Sequence, residues 1–459
     1  MTADNKHTIR KSHRSLPPAA VLALGFFCII LVGSLLLVLP ITHKPGAQVG
    51  YLEALFTATS ATCVTGLTVV DTFGAYSTFG HVVIISLIQV GGLGFMLFAT
   101  MTLVALGRRV SLQGRLLLRD TMRLPGLSGG VRSTIRFMGL VFFIELLGAI
   151  ILSIRFVPLY GADRGIWYGV FHSVSAFCNA GFDLFGAIGS LVGFRGDALV
   201  LMTISCLIVL GGLGFAVIWN VLDHWRRRIP LSLHTKIVLL MTGILLLVGM
   251  AFFVAMEWNN PRVLAREGAG AGEKLLNAWF QSVTPRTAGY FSFPQSEMTD
   301  ASKLVSIVLM FIGASPASTG GGIKTSTLFV VIMILRSIIA GREDINSMDR
   351  RIPSSIGRTA QSILFIYLSL LVLGAVLLTV FENGKGFSFL DMLFEEASAL
   401  GTVGLTAVGT ANFTVASKLL LITLMYFGRV GPLTLMLTLN HNHTNPGAIR
   451  FPEEQIIVG

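Results

Sequence analysis

Four glycines stand at one repeated spacing. Gly66, Gly181, Gly289 and Gly404 each follow an aromatic residue by ten positions, namely Phe56, Phe171, Trp279 and Phe394. The residue after each glycine is large and apolar: Leu67, Phe182, Tyr290 and Leu405. The surrounding stretches read ALFTATSATCVTGLTVVDT, GVFHSVSAFCNAGFDLFGA, NAWFQSVTPRTAGYFSFPQ and MLFEEASALGTVGLTAVGT. Few side chains here could do acid–base or nucleophilic work. What the pattern offers is backbone: glycine lets a segment leave the helix and turn its carbonyls where a side chain would forbid it. Four such segments around one axis would present rings of carbonyl oxygens, and such rings replace the hydration shell of a dehydrated potassium ion.

The elements that must hold these segments follow from hydropathy. Of 459 residues, 53% are hydrophobic and 12% charged, about half the charge of a soluble domain. The mean hydropathy is +0.76. This is the composition of an integral membrane protein. A spanning helix needs about 20 apolar residues. Eight segments qualify: about 17–40, 79–106, 134–157, 198–222, 236–256, 303–340 (interrupted), 359–381 and 416–439. Between them lie apolar stretches at 51–63, 166–178, 274–286 and 388–400, each too short to span and each predicted to be a re-entrant pore helix. The helices after the glycine strands repeat as well, with GGLGF at 91–95 and 211–215, GASPA at 313–317 and GRVGP at 428–432. The predicted architecture is therefore all-α, with four fused helix–pore helix–helix repeats around a pseudo-fourfold pore. The repeats are expected at 17–106, 107–222, 223–340 and 341–440, with tails at 1–16 and 441–459.

The net charge of +11 follows the membrane rather than nucleic acid. If the eight spans hold, 21 of the 34 Lys and Arg residues fall on one face, which the positive-inside rule makes cytoplasmic. Both tails then lie in the cytoplasm of a cell-membrane protein.

Two features inside the predicted spans call for a role. The third inner helix contains Gly313, Ala314, Ser315, Pro316, Ala317, Ser318, Thr319, Gly320, Gly321 and Gly322, followed by Lys324. Proline and three consecutive glycines oppose a regular helix. The expectation is an unwound intramembrane loop at 313–324 that blocks or opens the path. Arg429 lies within the fourth inner helix, where a charge is costly and functional by default. Arg286 is expected behind the filter, bonded to carbonyls or to Glu395 or Glu396. Glu145 is read as a helix-packing hydrogen-bond partner. Asp71 and Asp183 are placed at an acidic outer mouth.

In these motifs the chain resembles the Trk/Ktr/HKT superfamily of potassium transporters, whose repeats each carry one filter glycine. TVGL at 402–405 is nearest the potassium-channel signature, and VTGL, NAGF and TAGY are its degenerate counterparts. Eight spans without an additional helix pair look like the KtrB-type branch. The resemblance covers about residues 20–440. It implies a filter of Val64, Thr65 and Gly66; Asn179, Ala180 and Gly181; Thr287, Ala288 and Gly289; and Thr402, Val403 and Gly404. It also implies potassium as the transported ion, sodium as an activator, a homodimer, and a cytosolic KtrA-like ring. Any ATP, ADP or NAD would then act through that partner. In the family these motifs resemble, an arginine placed as Arg429 is projects toward the pore, where it could pair with the loop or repel cations.

Other classes are disfavoured. The GxG clusters lie inside apolar helices and do not follow a strand, so no nucleotide fingerprint is present. Cys28, Cys63, Cys178 and Cys206 lack metal-ligand spacing. No catalytic constellation lies within the spans, so an enzyme is not expected. The rival reading is a secondary transporter of another cation or small solute with a broken-helix midplane site, but such folds usually carry two inverted repeats.

Overall fold

The computed structural model describes residues 18–94, 97, 130–186, 189–342 and 344–432. Its helices are α1 (Pro18–Leu37), α2 (Tyr51–Cys63), α3 (Thr78–Leu93), α4 (Gly130–Tyr160), α5 (Ala162–Phe177), α6 (Ala198–Leu213), α7 (Phe215–Arg227), α8 (Leu233–Glu257), α9 (Ala271–Val283), α10 (Asp300–Phe311), α11 (Thr325–Ile339), α12 (Ser354–Phe381), α13 (Phe389–Leu400) and α14 (Val415–Val430). A short antiparallel hairpin, β1 (Ile345–Ser347) and β2 (Arg350–Ile352), joins α11 to α12.

Among the described residues four helices are long and apolar enough to cross a membrane. They run over Ala20–Leu37, Thr134–Tyr160, Leu233–Glu257 and Ser354–Phe381, and a bent pair, α6 and α7, could supply a fifth span. Each of the four precedes one of the short helices α2, α5, α9 and α13. Those short helices occupy the stretches expected from the sequence to within a few residues, and most of their side chains are buried.

The helices after the glycine strands start on side-chain caps. Ser77, Asp197, Thr299 and Thr414 accept from the backbone N–H groups of Gly80, Val200, Ser302 and Ser417, satisfying donors that a helix start would leave orphaned. In the last two cases the cap is braced by a carboxylate at the end of the preceding long helix. Glu257 Oε1 accepts from Thr299 N (3.0 Å) and Oγ1 (2.7 Å). Glu382 Oε1 accepts from Thr414 N (2.7 Å) and Oγ1 (2.8 Å).

These capped helices depart from the uninterrupted spans expected at 79–106, 198–222 and 416–439. α3, α6 and α14 stop at Gly94, Gly214 and Gly431, whose φ angles are +84°, +89° and +90°. At Gly214 the chain turns by 98° into α7. A residue in that region cannot continue a right-handed helix, and glycine enters it without the Cβ penalty. The predicted segments beyond Gly94 and Gly431, and both tails, lie outside the described residues.

Candidate functional site

The four predicted glycines meet. A Cβ placed on Gly181 would lie 2.6 Å from Ala288 O and 2.8 Å from Gly289 Cα. One on Gly289 would lie 2.6 Å from Val403 O and 3.3 Å from Gly404 Cα. One on Gly404 would meet Thr65 O and come within 2.9 Å of Gly66 Cα, and one on Gly66 would meet Ala180 O and come within 3.2 Å of Gly181 Cα. The order 66–181–289–404–66 closes on itself. The partners in each case are backbone, which cannot rotate away as a side chain can.

The strands around these glycines share one backbone signature. Val64, Asn179, Thr287 and Thr402 have φ of +59°, +61°, +69° and +50°, and the glycine two residues later has φ of +96°, +69°, +77° and +96°. In an ordinary strand with φ negative throughout, successive carbonyls point to opposite sides. Inverting φ at alternate residues turns them toward one side. For a β-branched residue such as Val64 or Thr402 this conformation is a real outlier, held here by burial on all sides. The positive φ thus falls on the residue two before each glycine as well as on the glycine, a position the glycine spacing alone does not signal.

Serines and threonines hold the strands. Ser60 Oγ accepts from Gly66 N (3.0 Å) and Ser398 Oγ from Gly404 N (3.1 Å). Ser175 Oγ donates to Phe182 O (2.9 Å), and Thr284 Oγ1 donates to Tyr290 O. The sequence carried a usable signal, since Ser60, Ser175 and Ser398 all stand six residues before their glycine. Between the second and third strands Asn179 and Thr287 are bonded. In the amide orientation that satisfies both its ends, Asn179 Oδ1 accepts from Thr287 Oγ1 (3.1 Å), and Nδ2 donates to Ala176 O and Ile208 O (3.2 Å each).

The first glycine of each repeated inner-helix motif allows close approach. Gly91, Gly211 and Gly428 lie directly against the carbonyls of Thr62, Phe177 and Leu400 at the C-terminal ends of α2, α5 and α13. Those ends carry the negative pole of the helix.

On one side of the glycine cycle is an open cavity of about 280 Å³, lined by the four glycines together with Asp71 and Asp183. Asp183 accepts from Phe185 N (3.0 Å) and Ser190 N (3.2 Å). Burial pushes its carboxyl up to about 6, against those two hydrogen bonds and with the nearby charge of Asp71 adding to the rise. Asp71 caps the turn at Thr72–Ala75.

The other side is filled by the 313–324 loop, which is unwound as expected. Gly320 packs on Thr287 Oγ1 and Gly321 on Thr402 Oγ1, so the glycine run lies directly against the first residues of two strands. The loop is tied on several sides. Ser315 N and Thr319 N donate to Gly212 O (3.0 Å) and Gly211 O (3.3 Å), and Ala317 O accepts from Phe215 N (3.0 Å). Ala317 adopts φ +54° without being glycine. Lys324 Nζ turns back to Gly320 O (2.7 Å). Arg429 reaches across, donating from Nη1 to Thr319 O and from Nη2 to Gly91 O and Gly92 O (the last 2.9 Å). A guanidinium at this depth therefore meets three carbonyls and fastens the loop to the end of α3.

Two other expectations have different outcomes. Glu145 is the interhelical partner foreseen: both its oxygens accept from Gln89 Nε2 at 3.0 Å. Arg286 is buried, but not on Glu395 or Glu396. Glu395 Oε1 accepts from Thr406 Oγ1 (2.6 Å), Ala407 N (2.7 Å) and Val408 N (3.2 Å). Glu396 packs against Gly374 of α12. Among the described residues Arg286 Nε has no hydrogen-bond partner. Local backbone donors a dozen residues along the chain occupy the Glu395 carboxylate expected to meet the arginine.

The fold and site together define a multi-pass membrane protein whose centre is built from backbone. The chain belongs to the family described as "TrkH: Cation transport protein", whose model matches residues 26–446. It is 40% identical over 456 residues to Ktr system potassium uptake protein B of Bacillus subtilis, covering 99% of each chain. It is 37% identical over 455 residues to Potassium/sodium uptake protein NtpJ of Enterococcus hirae, covering 98% of this chain and 99% of that one. The solved potassium transporter TrkH of Vibrio parahaemolyticus has the same fold, with a TM-score of 0.71 at 17% identity, over 95% of this chain and 86% of that one.

Proposed function

We propose that this chain is the membrane subunit of a potassium uptake system, with four helix–pore helix–helix repeats and a filter made of residues 64–66, 179–181, 287–289 and 402–404. The observation that carries the reading is the closed cycle of Gly66, Gly181, Gly289 and Gly404, each against the backbone of the next. Carbonyls gathered there exchange for the water around a stripped cation. The α2, α5 and α13 C-terminal ends supply further negative potential. The loop at 313–324 closes the path on one side, and Arg429 holds it closed.

The names of the Ktr-system relatives support a regulatory partner, and nucleotide control would belong to that partner. A homodimer and activation by sodium belong to the same reading. The name of NtpJ gives weight to sodium as a second substrate. Glycine at all four positions favours potassium.

The test is uptake of potassium, rubidium and sodium in cells lacking their own potassium transporters, comparing the native chain with Gly66→Ser and with a deletion across 313–324. The serine variant should lose discrimination against sodium, and the deletion should raise flux. Unchanged discrimination in well-expressed Gly66→Ser protein would defeat the filter assignment.

A further inference from the structure

α7 leaves α6 at 98°. If α6 crosses the membrane, α7 runs along its surface, for about 20 Å at 1.5 Å per residue. Its composition suits that position. Phe215, Ile218, Trp219, Val221, Leu222 and Trp225 fall on one side of the helix at 100° per residue, opposite Asn220, Asp223 and His224. Part of that apolar stripe is uncovered: Trp225 is 81% exposed, Trp219 38% and Val221 36%. Arg226 and Arg227 end the helix, and Arg228 caps it. Asp223 is the one acid in the helix and pairs with Arg227 at 3.5 Å. Tryptophan and arginine side by side on an amphipathic helix favour the boundary between acyl chains and phosphate.

The helix is also fastened to the loop. Its first residue, Phe215, donates its N–H to Ala317 O (3.0 Å), and a Cβ on Gly214 would lie 2.5 Å from Pro316 O. Asn220 Oδ1 accepts from Ser232 N (2.9 Å) and steadies the far end.

We propose that α7 is an interfacial helix that binds the anionic lipid surface through Arg226, Arg227 and Arg228, and that its seating is felt by the 313–324 loop through Phe215 and Gly214. A second copy of the chain is a poorer occupant, since Arg226, Arg227 and Arg228 are matched by an anionic surface and the helix itself carries one acid, Asp223, already paired. The lipid contact stands independently of the transport reading; only the flux arm of the test rests on it.

The experiment uses the full chain in vesicles of phosphatidylcholine alone or with a third phosphatidylglycerol. Trp225 fluorescence is isolated as the difference between native protein and Trp225→Phe, and quenched with lipid brominated near the headgroup end of the acyl chain. Strong quenching is expected, rising with anionic lipid. Each arginine removed should weaken that preference by roughly fivefold, and R226Q/R227Q/R228Q together should abolish it. Rubidium flux should depend on the anionic fraction in native protein and in Arg350→Gln, and not in the triple variant. Trp225 quenched by aqueous iodide but not by brominated lipid would overturn the lipid contact. Lipid-dependent quenching with lipid-independent flux, in protein that transports, would overturn the coupling to the loop.

Discussion

The third inner helix and the other three receive the same interruption and answer it differently. α3, α6 and α14 each stop at one glycine with positive φ, and the chain beyond Gly214 resumes at once as α7. Between α10 and α11 the break extends from Ile312 to Lys324. A single glycine permits a bend and lets the next residue re-enter a helix. Pro316 withholds an N–H, and Gly320, Gly321 and Gly322 remove the side chains that would pack a helix. The released backbone finds partners in Ser318 and Lys324 of the loop itself and, outside it, in Gly211, Gly212, Phe215 and Arg429. A kink is thus local, whereas the loop's hydrogen bonds run to its neighbours.

That contrast can be broken or sharpened by substitution. The largest effect is expected at the glycine cycle, where both regions meet. Gly289→Ala puts a methyl 2.6 Å from Val403 O at φ +77°, and uptake should be lost in protein that still reaches the membrane, read as rubidium uptake per immunoblotted chain. Arg429→Ala comes next. Removing charge-assisted bonds of about 1.5–3 kcal/mol each should free the loop and raise flux by roughly tenfold or more, while Arg429→Lys, which cannot reach three carbonyls from one point charge, should fall between. Native flux in Arg429→Ala would mean that the loop's bonds to Gly211, Gly212 and Phe215 hold it without the arginine.

The single-glycine bends should be milder and graded. Gly94→Ala meets none of the described atoms within 4 Å and should lose about 1–3 kcal/mol from its φ of +84°. Gly214→Ala adds the clash with Pro316 O and should melt lower in detergent. The smallest effect is at the outer cavity. The Asp183 carboxyl is raised to about 6 by burial, so it gains charge as pH rises from 5 to 7. Uptake at low external potassium should rise over that window, and Asp183→Asn should flatten the profile. The sign also fixes stability: the protonated form is the one the fold prefers, so this residue's contribution is fully present below its unfolded value and is lost as pH passes 6.

The short helices and the glycine strands were readable because their signals are local. An aromatic ten residues before a glycine, an apolar run of a dozen residues, and a proline beside three glycines each constrain the backbone within a few turns. α2 and α13 accordingly lie where hydropathy put them, and the loop is unwound where Pro316 said it would be. The pairing of Arg286 with Glu395 or Glu396 failed for the converse reason: a buried guanidinium's partner is chosen by packing, and Glu395 had nearer donors in Ala407 and Val408.

By itself, then, the amino-acid order determined membrane residence, the long and short helices, and the glycines where backbone must be bare, since hydrophobicity, helix length and φ freedom belong to residues and their near neighbours. Only the tertiary structure decided that four segments more than 100 residues apart close into one cycle, that α6 turns by 98° at Gly214, and that Arg429 reaches Gly91 and Gly92. Those are agreements among distant surfaces, and they exist only once close packing has left each polar group with one place to go.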